Sequence, residues 1–175
     1  MTLNWNIIFD AFIKMSLALI CGGILGVERG RKKRPAGFRT YMLVCLGSTL
    51  AMMINDYVCQ KYGTGDPTRL GAQVISGIGF LGAGTIITTG HNRVKGLTTA
   101  AGLWAAACIG LAIGVGYYEG AIIGTAMIVV IMVLLQSFDR YISFSPKTLF
   151  LYVEVENISS IKKIKTYTKE HNITV

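Results

Sequence analysis

Residues 70–87 read LGAQVISGIGFLGAGTII and contain no charged residue. Between Leu70 and Phe138 the only charged residues are Arg93, Lys95 and Glu119. Of the 175 residues in the chain, 52% are hydrophobic and 15% are charged, whereas a soluble domain carries about 25% charged residues. Because a spanning helix needs about 20 predominantly apolar residues, this composition predicts an all-α polytopic membrane protein.

The sequence divides into five apolar segments separated by polar gaps. Backbone groups in lipid must be hydrogen-bonded within their own segment, so each segment is expected to be a helix. Residues 1–143 are therefore predicted to form a five-helix transmembrane domain, with spans at 6–27, 40–57, 70–87, 97–115 and 118–138.

The basic residues predict the orientation of the chain. All 17 of them except Lys14, Lys61 and Arg69 fall in the first loop, in the third loop or after the fifth span. The positive-inside rule then places the N-terminus outside and the C-terminus in the cytoplasm. The run RGRKKR at 29–34 is interpreted as a topology signal that lies against anionic lipid headgroups, and no nucleic acid partner is expected.

The letters G-x-G-x-x-G occur at residues 77–82, in the pattern of a dinucleotide-binding loop. Such a loop needs a preceding strand, a helix that opens on it and a later acidic residue, and none of these is evident. Small residues instead let membrane helices approach closely. We therefore predict helix packing for five glycines, with a locally open third helix as the alternative: Gly77, Gly79, Gly82, Gly84 and Gly102.

The carboxylates lie at the ends of the predicted spans and none is mid-membrane. Ionisable groups on an ion path are expected inside the spans, so this placement counts against a pump, although a carbonyl-lined path remains possible. At the outer ends are Asp10, Asp56, Asp66 and Glu119, and at the inner ends Glu28 and Asp139.

Two charged positions near the outer side have alternative interpretations. Lys14 lies one turn inside the first span, where it either snorkels outward or pairs with Asp10. Asp66 is predicted to be the N-cap of the third helix, with Pro67 at its first position and Arg69 paired with an outer carboxylate.

Nothing in the sequence indicates an enzyme, a cofactor or a metal cluster. No nucleophile–base pair stands out, and the two histidines, His91 and His171, fall in a loop and in the tail. The cysteines show no metal-ligand spacing, and those inside spans behave as small apolar groups.

After Ser143 the composition predicts a short cytoplasmic β-α-β segment, residues 144–175. TLFLYVEVE at 148–156 has strand-forming residues, Asn157 or Ser159 can cap a helix that carries Ile161 and Ile164, and 173–175 begins a second strand. This is half of a ferredoxin-like unit, and half a sheet buries too little core. The segment either pairs with another subunit or, as we favour, continues beyond Val175.

Three blocks of the sequence resemble the MgtC/SapB family of bacterial inner-membrane proteins. They are GVERGRKKRPAGFRT at 26–40, DPTRLGAQVISGIGFLGAG at 66–84 and NRVKGLTTAAGLW at 92–104. The resemblance covers roughly residues 15–115. It implies five spans and a cytoplasmic ACT-like domain, of which this tail would be an incomplete part. Some members have Cys after the motif tryptophan, where this chain has Ala105.

The resemblance also implies a function and a set of motif residues. Family members are linked to growth in low magnesium and to virulence, some bind and restrain the F-type ATP synthase, and a homodimer is plausible among them. We therefore expect a non-enzymatic regulator of a membrane partner, with a Mg²⁺ or other cation transporter as the alternative. The motif residues are Glu28, Arg29 and Arg39 at the cytoplasmic entrance, Asp66, Arg69 and Gln73 at the outer one, and Asn92.

Overall fold

A computed structural model of the chain describes residues 5–32, 34–89, 93–135, 154–155 and 157–171. The chain divides into two units, Met1–Arg140 and Tyr141–Val175. The first unit is a helical bundle whose elements, in chain order, are α1 (Trp5–Arg31), α2 (Phe38–Tyr62), α3 (Arg69–Thr85), β1 (Ile87–Thr89), β2 (Arg93–Lys95), α4 (Leu97–Gly114) and α5 (Tyr118–Val130), with a π-helical turn (Ile131–Leu135) that continues α5.

Three of these helices, α1, α2 and α4, are long and apolar enough to cross a membrane. Helix α3 has 17 residues, so it is about 25 Å long, which is less than the roughly 30 Å of a bilayer core. The apolar helix that starts at Tyr118 is also shorter than the three. The chain is therefore an all-α membrane protein, and the number of five spans remains a prediction.

The first two helices extend beyond the predicted spans. Helix α1 continues through Glu28 and Arg29 to Arg31, and α2 begins at Phe38, so that Arg39 lies in its first turn and not in the loop. The predicted spans lie within these two helices, which continue past them because Glu, Arg and Lys are good helix formers. A helix therefore does not stop where its hydrophobic stretch stops.

The third predicted span, in contrast, ends early. Helix α3 ends at Thr85, and Ile87 belongs to β1 and not to the helix. The reason is the β-branched run Ile86-Ile87-Thr88-Thr89, which favours extended backbone. Strands β1 and β2 form an antiparallel hairpin in which Ile87 is opposite Lys95 and Thr89 is opposite Arg93.

Gly96 connects this hairpin to α4 and cannot be replaced without strain. Its φ of 99° lies in the left-handed region, which glycine adopts at no steric cost. A Cβ at this position would also overlap the main-chain carbonyl of Thr85 at the end of α3. The end of α3 and the start of α4 are therefore in backbone contact.

Helix α4 is central to the bundle, because α1, α2, α3 and α5 all pack against it. One apolar cluster of the core includes Ala18, Cys45 and Ile113, and the other includes Leu25, Tyr41 and Leu103. Beside the first cluster, the buried hydroxyl of Thr49 lies 2.9 Å from the carbonyl oxygen of Cys45 and 2.8 Å from the carbonyl oxygen of Gly110. This hydroxyl links α2 to α4.

In the second unit the described residues contain one helix, α6 (Ile158–Glu170), where the sequence predicts a helix. Asn157 is its N-cap residue, without a side-chain capping hydrogen bond. Of the predicted strand 148–156 only Glu154 and Val155 are described, and neither lies in a strand. Residues 173–175 are outside the described part, so the ACT-like fold remains a prediction.

Candidate functional site

At the basic end of the bundle, where α1 ends and α2 begins, the buried side chain of Arg29 contacts both Glu28 and the π-helical turn. Arg29 is 2% exposed, and its Nη2 lies 3.5 Å from the carbonyl oxygen of Met132. Its Nε forms an ion pair with Glu28, whose other oxygen lies 2.6 Å from Lys32 Nζ. Glu28 therefore lies between two cations, and charge attraction stabilises both pairs.

The same end contains a buried tyrosine that fits against a glycine. The Tyr41 hydroxyl donates to the carbonyl oxygen of Thr99 over 3.3 Å. A Cβ on Gly102 would overlap both the Tyr41 hydroxyl and the end of the Met132 side chain. Helices α2 and α4 and the π-helical turn therefore converge at Gly102. π-Helical turns occur frequently at functional sites.

At the loop end, where α2 ends and α3 begins, Asn55 holds the loop that starts α3. Its Nδ2 donates to the carbonyl oxygens of Pro67 at 2.7 Å and Asp66 at 3.2 Å. Its Oδ1 accepts a hydrogen bond from the main-chain N–H of Leu70 at 3.2 Å. Sequence reasoning missed Asn55, although a buried asparagine on an apolar helix is a usable signal because buried amides need partners.

The predicted N-cap role of Asp66 has to be corrected. Helix α3 begins at Arg69 with Thr68 as its N-cap residue, so Pro67 lies before the helix. The Asp66 carboxylate accepts hydrogen bonds from the hydroxyl and the main-chain N–H of Thr68, at 2.6 and 2.8 Å. These two bonds, with a smaller contribution from the charge of Arg69, lower the pKa of Asp66. Aspartate favours such local turns because its short side chain reaches the backbone two residues on.

Lys14 pairs with Asp10, which decides between its two interpretations. The Nζ–Oδ2 distance is 3.0 Å, and Lys14 is 13% exposed. Both residues line a groove of 470 Å³ between α1 and α2, together with Asp56 and Gln60. Gln60 donates to Asp56 over 2.8 Å. Two of the four outer carboxylates therefore share a groove, whereas Asp66 and Glu119 do not line it.

The structure divides the five predicted packing glycines into two groups. A Cβ on Gly82 would lie 3.5 Å from that of Ala100, and one on Gly102 would overlap its neighbours. A Cβ on Gly77, Gly79 or Gly84 would meet no atom of the described residues within 4 Å. For these three the role in helix packing remains a prediction, and it would need a helix other than those described here. The whole G-x-G-x-x-G stretch lies inside α3 and not at a strand-to-helix turn.

One face of α3 is turned away from the bundle. The buried residues of this helix, Gly71, Ile78, Gly82 and Thr85, form a narrow stripe. Opposite the stripe, at helical spacing, lies what we call the outward face of α3. Phe80 on this face is 83% exposed. The outward face consists of Gln73, Ser76, Phe80 and Gly84, all exposed.

Two motif residues remain. Arg39 is exposed in the first turn of α2 and lines a groove between α2 and α3, so the structure does not bring it into the Glu28–Arg29 pair. Asn92 lies outside the described residues. In the described ranges no three His, Cys, Asp or Glu side chains are grouped so as to hold a metal ion.

The sequence matches the family model described as MgtC family over residues 15–141. The chain belongs to the MgtC family. The match extends beyond the three motif blocks and covers α2, α3, α4, α5 and most of α1. No solved structure matches.

Relatives in three bacteria agree with this assignment. A protein of Escherichia coli (strain K12), "Putative magnesium transporter YhiD", is 42% identical over 70% of this chain and 59% of its own length. Protein SapB of Bacillus subtilis is 39% identical over 69% of this chain and 54% of its length. Protein MgtC of Brucella abortus is 40% identical over 73% of this chain and 52% of its own length. The chain spans a little over half the length of these curated relatives.

Proposed function

We propose that this MgtC-family protein is a non-enzymatic multi-pass protein of the bacterial inner membrane that regulates a membrane partner. In this proposal it crosses the membrane five times, and its C-terminus is cytoplasmic. Its role is adaptation to low magnesium or acid stress and survival in a host. The membrane sector of the F-type ATP synthase, which the family resemblance implies, is the first partner to test.

The outward face of α3 is the observation that carries this proposal. In lipid a polar side chain such as Gln73 is costly unless it finds a polar partner. Beside it, Ser76 and Gly84 leave room for the backbone of another helix, which is how membrane helices gain packing energy. Because the buried residues of α3 in the described part of the chain lie on the opposite stripe, this face suits contact with another membrane protein.

The position of α3 supports the same conclusion. Asn55 holds its first residues, and the backbone of Gly96 contacts its last. A helix fixed at both ends loses little freedom when a partner binds, and this preorganisation favours affinity.

The test is affinity purification from native membranes in mild detergent, followed by mass spectrometry of the proteins that co-purify. Gly84→Leu adds bulk on the outward face, where no described atom of the chain is within 4 Å, and leucine is a better helix former than glycine by about 1 kcal/mol. This variant is therefore expected to fold and to lose the partner. Gly82→Leu is unsuitable, because it would disturb the contact with Ala100.

Ala126→Leu on the exposed side of α5 is the matched control, and it should retain the partner. Unchanged capture of ATP synthase subunits by Gly84→Leu would reject this face as the contact. A change in oligomeric state without a change in captured proteins, measured by light scattering, would assign the face to a homodimer instead.

A Mg²⁺ or other cation transporter is the second candidate. Its support is the groove shared by Asp10 and Asp56, together with the printed name of the Escherichia coli relative. Mg²⁺ keeps several waters and binds through one or two carboxylates, but Lys14 already neutralises Asp10. Mg²⁺ uptake into proteoliposomes that is lost in Asp56→Asn and kept in Glu119→Gln would favour this candidate. Absence of uptake by folded protein would remove it.

A further inference from the structure

The groove between α2 and α3 is a second feature that the bundle leaves open. It has a volume of 490 Å³. On the α2 side a Cβ at Gly47 would meet no atom of the described residues within 4 Å. The groove lies beside the outward face of α3 but is distinct from it, and its lining residues are mainly apolar: Leu43, Val44, Gly47, Val74, Ile78 and Leu81.

One end of this otherwise apolar groove carries a positive charge, that of Arg39. Arg39 lines the groove in the first turn of α2 and forms no ion pair with any residue in the described ranges. Arg34 before it and Lys95 after α3 are also exposed. An exposed guanidinium at the interface attracts the negatively charged headgroups of membrane lipids, and its planar fork matches the geometry of a phosphate.

The length of the groove fits one half of a bilayer. Along α2 its lining runs from Arg39 to Ser48, nine residues, which is about 14 Å of helix. Half of a hydrocarbon core is about 15 Å. Arg39 at the interface is therefore complementary to the phosphate of a phospholipid, and the apolar lining, about one leaflet deep, is complementary to its acyl chain.

We propose that this groove is a binding site for an anionic phospholipid, with the phosphate on Arg39 and one acyl chain between α2 and α3. Neutral lipids can enter the same space, but they gain less from Arg39. The site thus selects lipid by headgroup charge and would fill the gap that the chain leaves between these two helices.

A fluorescent reporter in the groove tests the proposal on the full chain. The native tryptophans are exposed, so Trp5→Phe and Trp104→Phe give a silent background for Leu43→Trp, at a position 68% exposed in the groove. The protein is reconstituted in vesicles that contain phosphatidylglycerol or phosphatidylcholine with brominated acyl chains, which quench tryptophan. We expect half-quenching at about fivefold lower mole fraction of phosphatidylglycerol, as one interfacial cation predicts.

The controls separate a bound lipid from bulk lipid. Ile122→Trp on α5 is 54% exposed and outside the groove, so the two brominated lipids should quench it equally. Arg39→Gln should abolish the preference at the Leu43→Trp reporter, whereas Arg34→Gln, which removes one charge outside the groove, should keep it. Gly47→Leu fills the groove and should also remove the preference.

Three results would overturn the proposal. Equal quenching of the Leu43→Trp reporter by both lipids would mean that only bulk lipid is present. An equal loss of preference in Arg34→Gln and Arg39→Gln would mean a diffuse attraction to the whole basic end. Protection of the reporter from both lipids, with Ile122→Trp quenched, would mean that a second copy of the chain covers the groove.

Discussion

Helices α3 and α4 are both rich in small residues, but the glycines of α4 pack against other helices of the chain whereas several glycines of α3 do not. In α4 a Cβ on Gly110 would overlap the carbonyl oxygen of Cys45, and a Cβ on Gly114 would lie 2.8 Å from the carbonyl oxygen of Thr49. In α3 a Cβ on Gly77, Gly79 or Gly84 would meet no atom of the described residues within 4 Å. Glycine in a membrane helix therefore permits close approach, but only the three-dimensional neighbours decide whether the approach occurs within the chain or is left for another molecule.

The strongest test of this contrast is Gly110. Gly110→Ala forces backbone apart at the α2–α4 contact and disturbs the link made by Thr49, so we expect a loss of about 1–3 kcal/mol in the free energy of unfolding. Gly110→Leu should not accumulate as folded protein. Detergent-denaturation curves followed by circular dichroism measure both. A stability equal to that of the native chain would show that α4 is not packed as described.

The next test concerns the contribution of Asn55 to the position of α3, because only some of the glycines of α3 pack against neighbouring helices. Asn55→Ala leaves the carbonyl oxygen of Pro67 and the N–H of Leu70 without this partner, and buried groups that lose a partner cost about 1–3 kcal/mol. We expect this loss of stability, together with faster trypsin cleavage after Lys61 and Arg69. Gln60→Ala is the control, because the side chain of Gln60 donates a hydrogen bond to exposed Asp56 and holds no part of the loop described here. Equal cleavage rates in the two variants would contradict the role of Asn55.

Substitution by alanine at the glycines of α3 that have no described neighbour should raise the free energy of unfolding, whereas substitution at Gly110 should lower it. Gly79→Ala and Gly84→Ala are each expected to raise the free energy of unfolding of the purified monomer by up to about 1 kcal/mol, because alanine has the higher helix propensity. The same denaturation curves measure this gain. A clear loss of stability at either position would indicate that part of the protein does contact that glycine.

The smallest expected effect concerns the loop that starts α3. Because the folded pKa of Asp66 is lowered, its contribution to stability is present above its ordinary pKa and is lost as the pH falls through the folded value. Thr68→Val removes one of the two hydrogen bonds and should raise the pKa of Asp66, whereas Thr68→Ser should leave it low. Carbon NMR of the carboxyl group measures the shift, and identical pKa values in the two variants would exclude the hydroxyl as a cause.

Hydropathy was sufficient to predict the class of the protein and the approximate position of each helix. The low charge content of residues 70–138 reflects the solvent around the chain, and that information is local in sequence. The family could likewise be named from residues 26–40, 66–84 and 92–104, since motif blocks are also local.

The remaining features depend on contacts between distant residues. Nothing in the sequence distinguishes Gly102 from Gly84, because the difference is whether Tyr41 and Met132 lie next to the glycine. The hydrogen bonds of Asn55 to the loop and first turn of α3 join residues 11 to 15 positions apart. The pairing of β1 and β2 could have been predicted from the β-branched run at 86–89, followed in the sequence by Gly90 and Asn92, residue types that favour turns. The expectation of a helix to residue 87 hid it.

Gly96 has a mechanical consequence. Because even one methyl group at this position would collide with the carbonyl of Thr85, the end of α3 cannot move toward the start of α4 without pushing against it. A displacement of α3 by an outside partner would therefore press on α4, against which α1, α2 and α5 also pack.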